Sequence, residues 1–283
     1  MARCLIAGCG YVGAALGERL AAEGHTVFGL RRRPLRPPPG VQLVEADLGV
    51  PASLARLPGV LDFVLYLASP GGAEDALYRA AYVDGQRNLY EALARQGQRP
   101  KRVLFASSTA VYGQRDGEWV DEGSPTEPAD FRGRRLLEAE RLLAEAPWPG
   151  VVVRFGGIYG PRRSALVDEV LAGRAVIRPD GPHYTNRIHR DDCAGVMRHL
   201  MLREAPEPVY LGVDCEPADE ATVLRWLAGA LGAPEPRVGA PPGRRRERRG
   251  SKRCRNDRLL ASGYRFLHPT FRDGFREILA QTA

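Results

Sequence analysis

Lysine is almost missing from this 283-residue chain: all but two of its 41 basic residues, Lys101 and Lys252, are arginine. Asparagine is scarce too, while alanine, glycine and proline abound. That skew reads as GC-rich coding bias, so the formal net charge of +7 is no evidence by itself for a nucleic-acid surface. The basic runs also lack the interleaved aromatics that base stacking requires. Five cysteines (Cys4, Cys9, Cys193, Cys215, Cys254) fall in no C-x-x-C pattern, which argues against a disulfide framework or a zinc site; no metal site is expected. No apolar run approaches the ~20 residues of a membrane span. The opening segment lacks a basic n-region and a cleavage site. These absences point to a protein of the reducing cytoplasm with no membrane and no nucleic-acid partner.

What is present begins at once. The apolar run Arg3–Ala7 leads into Gly8-Cys9-Gly10-Tyr11-Val12-Gly13, followed by an Ala- and Leu-rich stretch to about residue 22 and a second apolar run, Thr26–Leu30. G-x-G-x-x-G between a strand and a helix is the context that a dinucleotide fingerprint requires. Gly8 permits the tight turn, Gly10 lets backbone approach a pyrophosphate, and Gly13 lets the helix pack close to the strand. The helix N-terminus then presents free N–H groups and a positive dipole end. A Gly-rich turn without a ligand is the simpler alternative.

NAD sites usually carry Asp or Glu about 20 residues after the glycines, on the ribose 2′-OH. Here the second strand ends Leu30-Arg31-Arg32-Arg33-Pro34. A carboxylate would repel a 2′-phosphate, whereas a guanidinium grips it bidentately. NADP(H) is therefore expected over NAD(H), with Arg31 and Arg32 as contacts, against the alternative of a solvated basic loop.

Strands are predicted at Arg3–Ala7, Thr26–Leu30, Gln42–Glu45, Phe63–Leu67, Arg102–Ser107 and Val151–Phe155, with helices near 12–22, 52–57, 76–96 and 134–146. Near-continuous apolar strands indicate burial on both faces and a mostly parallel, doubly wound α/β (Rossmann-like) sheet. After Gly156 the rhythm changes to Pro-, Gly- and Arg-rich loops with helices near 164–172, 191–202, 219–231 and 271–281. The division expected is a dinucleotide-binding domain over 1–155, with 188–213 also packing on it, and a small substrate lobe formed mostly by 156–283. The run Gly243-Arg244-Arg245-Arg246-Glu247-Arg248-Arg249 holds no aromatic and reads as a solvated loop rather than a nucleic-acid contact.

Six motifs in order make the chain resemble the extended short-chain dehydrogenase/reductases, the NAD(P)-dependent epimerase/dehydratase group, over nearly its full length. They are Gly8–Gly13; Ala46-Asp47-Leu48; Tyr66-Leu67-Ala68-Ser69; Asn88 in its helix; Ser107-Ser108-Thr109-Ala110-Val111-Tyr112-Gly113; and Arg154-Phe155-Gly156-Gly157-Ile158-Tyr159-Gly160-Pro161 with Arg187-Ile188-His189-Arg190-Asp191-Asp192. The resemblance implies an adenine contact at Asp47 and Leu48, cofactor contacts at Leu67, Ala68 and Ser69, an active-site hydroxyl at Ser108, substrate contacts at Tyr159 and Arg187, and a homodimer. Read from the residues alone, Ser108 and Thr109 end a buried strand, where a hydroxyl can meet a substrate oxygen or cap the next turn. Asp47 equally fits an Asx turn.

The family's chemistry rests on Tyr-x-x-x-Lys, because an unperturbed phenol, with a pKa of about 10, is a poor base at neutral pH. The residues four before the two lysines are Gly97 and Arg248, so the pair is absent. Aligning Glu140-Arg141-Leu142-Leu143 with the family's E-x-L-L puts Arg132 at the Tyr and Leu136 at the Lys; a slip of one puts Phe131 and Arg135 there. Gly157 also stands where many members have Asn. The replacement proton donor is sought among Tyr112, Tyr184 and His189, the last equally readable as a structural hydrogen-bonder. Arg132, Arg134 and Arg135 form either a cluster that binds a substrate anion or a solvated helix face paired with Glu138 and Glu140. The function expected is an NADP(H)-binding oxidoreductase or epimerase-like enzyme acting on a polar carbonyl or nucleotide-sugar-like small molecule. The alternative is a non-catalytic NADP(H) sensor or scaffold.

Overall fold

The computed structural model describes residues 1–33, 36–240 and 250–281. The arginine run at 244–249 lies outside the described residues. The chain forms two compact units: residues 1–112, 126–154 and 193–210 make the first, and 113–125, 155–192 and 211–283 the second.

The first unit is built on β1 (Arg3–Ala7), β2 (Thr26–Arg31), β3 (Val41–Glu45), β4 (Phe63–Tyr66), β5 (Arg102–Ser108) and most of β7 (Gly150–Phe155). β1 pairs in parallel with β2 and β4, β2 with β3, and β4 with β5. The seven-stranded sheet has the order Val209–Gly212, β7, β5, β4, β1, β2, β3. Strand order reverses between β1 and β4, and such a switch point opens a crevice at the carboxyl ends of the strands. Leu5, Ile6, Val64, Leu65, Val103 and Leu104 are fully buried, as expected of strands covered on both faces.

Helix α1 (Tyr11–Ala22) follows β1, and α4 (Phe131–Ala144) precedes β7. The helix read at 76–96 is interrupted. It runs as α2 (Asp75–Tyr78), a π-helical stretch (Arg79–Asp84) and α3 (Gly85–Arg95). A Cβ on Gly85 would come within 2.8 Å of the Tyr66 hydroxyl, and that hydroxyl donates to the Ala81 carbonyl inside the widened turn. The stretch read at 52–57 is a 3-10 helix, Pro51–Arg56.

The second unit also takes in a segment that precedes residue 155. Residues 113–125 belong to it because β6 (Asp116–Val120) pairs in parallel with Ser251–Cys254. Neither strand shows the apolar run that marks the central sheet. β8 (Gly157–Tyr159) pairs in parallel with Arg187–His189. Tyr159, Val167, Ile177, Leu224, Leu227, Phe271 and Phe275 form this unit's apolar core.

Candidate functional site: the carboxyl edge of the parallel sheet

The glycines of the β1–α1 turn do three different jobs. Gly8 has φ +93°, and a Cβ there would overlap the backbone of Ala68 and lie 2.6 Å from the carbonyl carbon of Leu67. It is needed both for its dihedral angle and for the close passage of residues 67–68. A Cβ on Gly13 would stand 2.7 Å from the Gly8 oxygen and 3.0 Å from Ile6, so this glycine sets the distance between helix and strand. Gly10 differs. Its φ is −96°, it is exposed, and among the described residues a Cβ there would meet nothing nearer than the Gly8 oxygen at 3.9 Å. Protein packing does not require a glycine at this position, and the space over it suits the approach of a ligand to backbone. The first turn of α1 carries no acidic residue, so nothing there opposes an anion at the helix N-terminus. Cys9 contributes only backbone to this edge. Its thiol is buried, lies against Gly29, and is pushed up chiefly by burial.

Arg31 ends β2 half-buried, with Arg32 exposed next to it. The nearest downstream carboxylates are also accounted for. Glu45 stands opposite Arg31 in the β2–β3 register. Asp47 Oδ1 accepts from the Gly49 N–H at 2.8 Å, so the Asx turn exists. The Leu48 carbonyl accepts from Asn88 Nδ2 at 2.8 Å, which pins the 46–49 segment to α3. Leu67 and Ala68 are half-buried and Ser69 is exposed, just past the end of β4 and against Gly8.

At the end of β5 the two serines separate. Ser107 points inward and donates to Glu140 Oε1 at 2.6 Å. Arg154 grips the same carboxylate with Nε at 3.0 Å and Nη2 at 2.7 Å, and its Nη1 donates to the Tyr112 hydroxyl at 2.8 Å. All four residues are buried. Sequence reasoning misses this network because its members are spread from 107 to 154, and it takes Tyr112 for a free acid. The network removes Tyr112 as the substitute acid, since the hydroxyl is enclosed and committed to Arg154. Ser108 is half-buried, and its Oγ accepts from the Ala110 N–H at 3.2 Å. That is the turn cap weighed from sequence, and it leaves the hydroxyl hydrogen free to donate. Thr109 begins the short turn Thr109–Val111.

Helix α4 starts on this edge. Asp130 caps it, with Oδ1 accepting from the Arg132 N–H at 2.9 Å. The absence of a side chain at Gly133 lets the first turn sit directly on Pro128 and the Ala110 carbonyl. Leu136 is buried at 2% exposure and is an apolar core residue. Arg135 is taken up by the protein's own carboxylates: Asp75 takes Nε and Nη2 at 2.8 and 2.9 Å and Glu138 takes Nη1 at 2.9 Å. Among the described residues Arg132 has a single carboxylate, Asp130, at 3.2 Å.

The remaining expected residues lie in the second unit. His189 is fully buried. Burial and the neighbouring His268 push its imidazole down, and Tyr159 and His268 pack on its ring at 5.4 and 3.9 Å between centroids. It is a core histidine rather than a donor open to a substrate. Tyr159 is likewise buried, its ring 4.8 Å from that of Phe275, and burial pushes its phenol up. Arg187 is buried near Asp214, whose carboxyl is pushed well up by burial and only partly restrained by the Arg187 charge. Tyr159 and Arg187 thus both lie enclosed within this unit. Tyr184 is half-buried under the Arg253 guanidinium, 4.7 Å from its ring centroid.

Among the described residues, His189 belongs to two groups with ligand-type atoms within 4.8 Å of one another, one with Asp192 and His268 and one with Asp191 and Glu277. Hydrogen bonds fill much of this cluster. Asp192 accepts from the Tyr264 hydroxyl, the N–H groups of Leu267 and His268, and pairs with His268 Nδ1 at 2.8 Å. His268 Nε2 meets Glu277 at 2.6 Å.

A model of the NAD dependent epimerase/dehydratase family matches residues 4–211. The chain belongs to that family. It is 30% identical to a Streptomyces 3-diazoavenalumate denitrifying reductase over 96% of this chain and 98% of the relative. A Methylobacillus flagellatus structure named for the same family superposes with a TM-score of 0.81 at 37% identity, covering 99% of this chain and 98% of that one. Human epimerase family protein SDR39U1, solved with NADPH, superposes with a TM-score of 0.80 at 25% identity, covering 98% and 99%. Structures sharing the fold at 23% identity or less were solved with NAD. Among the described residues no helix is long and apolar enough to cross a membrane.

Proposed function

We propose that this family member is an NADP(H)-dependent oxidoreductase of the reducing cytoplasm, acting on a small polar or anionic molecule. The observation that carries the reading is the open backbone at Gly10, beside an α1 first turn free of carboxylates. Gly8–Gly13 would hold the pyrophosphate, Leu67, Ala68 and Ser69 would flank the cofactor, and Asp47 and Leu48 would lie against the adenine. Arg31 and Arg32 would take the 2′-phosphate, because a guanidinium pairs with it and no carboxylate ends β2 to repel it. Bound NADPH supplies a hydride. Ser108 donates its hydroxyl hydrogen to a substrate oxygen.

In one register Arg132 and the buried Leu136 would stand where the family has its phenol and ammonium, and in the register one residue earlier Phe131 and Arg135 would; neither supplies a phenol. The chemistry that suits this arrangement is hydride delivery stabilised by hydrogen bonds and charge, without proton transfer from a tyrosine. The Streptomyces relative is named for a denitrifying reduction of a diazo compound, and a reduction that expels N2 leaves no alkoxide to protonate.

The test is parallel calorimetric titration with NADPH and NADH, on the parent and on an Arg31→Ala/Arg32→Ala variant. The parent should bind NADPH at least tenfold tighter, and the double variant should lose most of that preference. A double variant that keeps the full preference would sink the assignment of the two arginines. A parent that binds neither nucleotide would end the enzyme reading.

A further inference from the structure

Two arginines near the start of α4 differ in how completely the protein itself uses them. Arg135 has three of its donor nitrogens on two carboxylates. Arg132 is more enclosed than a surface arginine, its side chain 21% exposed, yet its one carboxylate partner is Asp130, itself 41% exposed. The contact is monodentate, through Nη1. The enclosure comes from aromatic rings: the guanidinium carbon lies 5.2 Å from the Phe131 centroid and 5.8 Å from that of Tyr78. Those two rings meet edge-on at 5.5 Å, and Tyr82 packs on Tyr78 at 5.6 Å.

Position matters as much as pairing. Phe131 and Arg132 open the helix whose first turn rests on Ala110, beyond the carboxyl end of β5. Tyr78 lies in α2, after the carboxyl end of β4. The cluster therefore belongs to the edge of the sheet that carries Gly8–Gly13 and Ser108. Partly dehydrating a guanidinium costs free energy unless its donors find acceptors. A planar guanidinium with an unused fork, beside aromatic rings, matches a planar carboxylate carried on a flat apolar body.

We propose that Arg132, framed by Tyr78 and Phe131, is the anchor for the carboxylate of an aromatic acid substrate. This rests on the reading of the carboxyl edge as the catalytic side. It assigns position 132 a binding role in place of proton transfer. It also makes this member selective for acids over neutral carbonyl compounds.

The experiment titrates the full-length protein, with and without saturating NADPH, with cinnamate and with its neutral isostere cinnamamide, followed by ligand-observed NMR and calorimetry. Cinnamate should bind, and cinnamamide should bind at least tenfold more weakly. Arg132→Ala should lose at least tenfold in cinnamate affinity, and Arg132→Lys, which keeps the charge but not the fork, should lose less. Arg141→Ala, at an exposed arginine farther along the same helix, should stay within twofold, and the thermal midpoints of all three variants should match the parent. Equal binding of acid and amide would overturn the proposal, as would an Arg132→Ala affinity no lower than that of Arg141→Ala. A UDP arm separates the sources of negative charge: loss of UDP binding in Arg132→Ala, with no cinnamate binding to the parent, would overturn the aromatic acid in favour of a nucleotide phosphate. Titration without NADPH reads Arg132 independently, so a protein that fails to bind the cofactor fails the functional reading and not this one.

Discussion

The two edges of the central sheet carry polar groups of similar kinds and treat them differently. At the amino edge, before β1 and β5, Arg102 and Asp62 each hold several partners. Arg102 donates through Nη1 to the carbonyls of Leu200, Met201 and Arg203 at 2.9, 2.8 and 2.7 Å, and through Nη2 to Glu204 at 3.2 Å. Asp62 accepts from the Arg3 N–H at 2.8 Å and meets Lys101 at 2.9 Å. At the carboxyl edge, Gly10 stands over open space, Ser108 keeps a free hydroxyl hydrogen, and Arg132 has one partial partner. The lesson is that polar side chains closed by the protein hold the fold, and those left incomplete mark where a ligand belongs. Parallel strands concentrate the second kind at one end because β–α turns and helix N-termini gather there.

The strongest way to break that contrast lies inside the glycine turn. Gly8→Ala forces a left-handed φ on a residue with a Cβ and drives that atom into residues 67–68. A loss of about 3 kcal/mol or more in stability is expected, read as the urea midpoint. Gly10→Ala needs no unusual φ and meets open space, so its midpoint should stay within about 0.5 kcal/mol of the parent. Its NADPH affinity should nevertheless fall at least tenfold, because the added methyl occupies the approach to the backbone. A Gly10→Ala protein that binds NADPH as the parent does would show that nothing approaches there.

The glycine turn could be read from sequence because its physics is local: a strand, a turn and a helix within twenty residues specify one another. The central strands were legible for the same reason, through their apolar runs. What stayed hidden depends on distant partners. β6 and Ser251–Cys254 find each other across more than a hundred residues, and Arg253 donates to the Gly117 carbonyl at 2.7 Å. Three arginines within one helix turn, 132, 134 and 135, look alike on the page. Asp75, sixty residues upstream, and Glu138 together separate Arg135 from Arg132. Tyr112 and His189 looked like free acids because sequence shows a side chain's chemistry and not its enclosure.

Arg102 sharpens the comparison from the opposite edge. Arg102→Ala strands carbonyls at the end of the helix Arg190–Leu202 and just beyond it. Losing charged hydrogen bonds to partly buried acceptors should cost about 2–3 kcal/mol, with NADPH affinity within twofold of the parent. If stability held and NADPH binding fell instead, the division of labour between the two edges would be wrong.

Asp62 gives the smallest effect and the clearest sign. The Arg3 N–H first, and the Lys101 ammonium second, hold its carboxyl below the usual carboxylate range. A group depressed in the folded state contributes stability above its unfolded pKa of about 3.9, and that contribution is lost as the pH falls through the folded value. Asp62→Asn should therefore cost a little at pH 7, under about 1 kcal/mol for so exposed a pair. The gap between variant and parent should close progressively below about pH 4. Urea midpoints at several pH values, in low salt to limit screening, measure it. A gap that persists undiminished in acid would mean that Asp62 acts through its shape and not its charge, and the amino edge would then owe less to ion pairing than to the hydrogen bonds of Arg102.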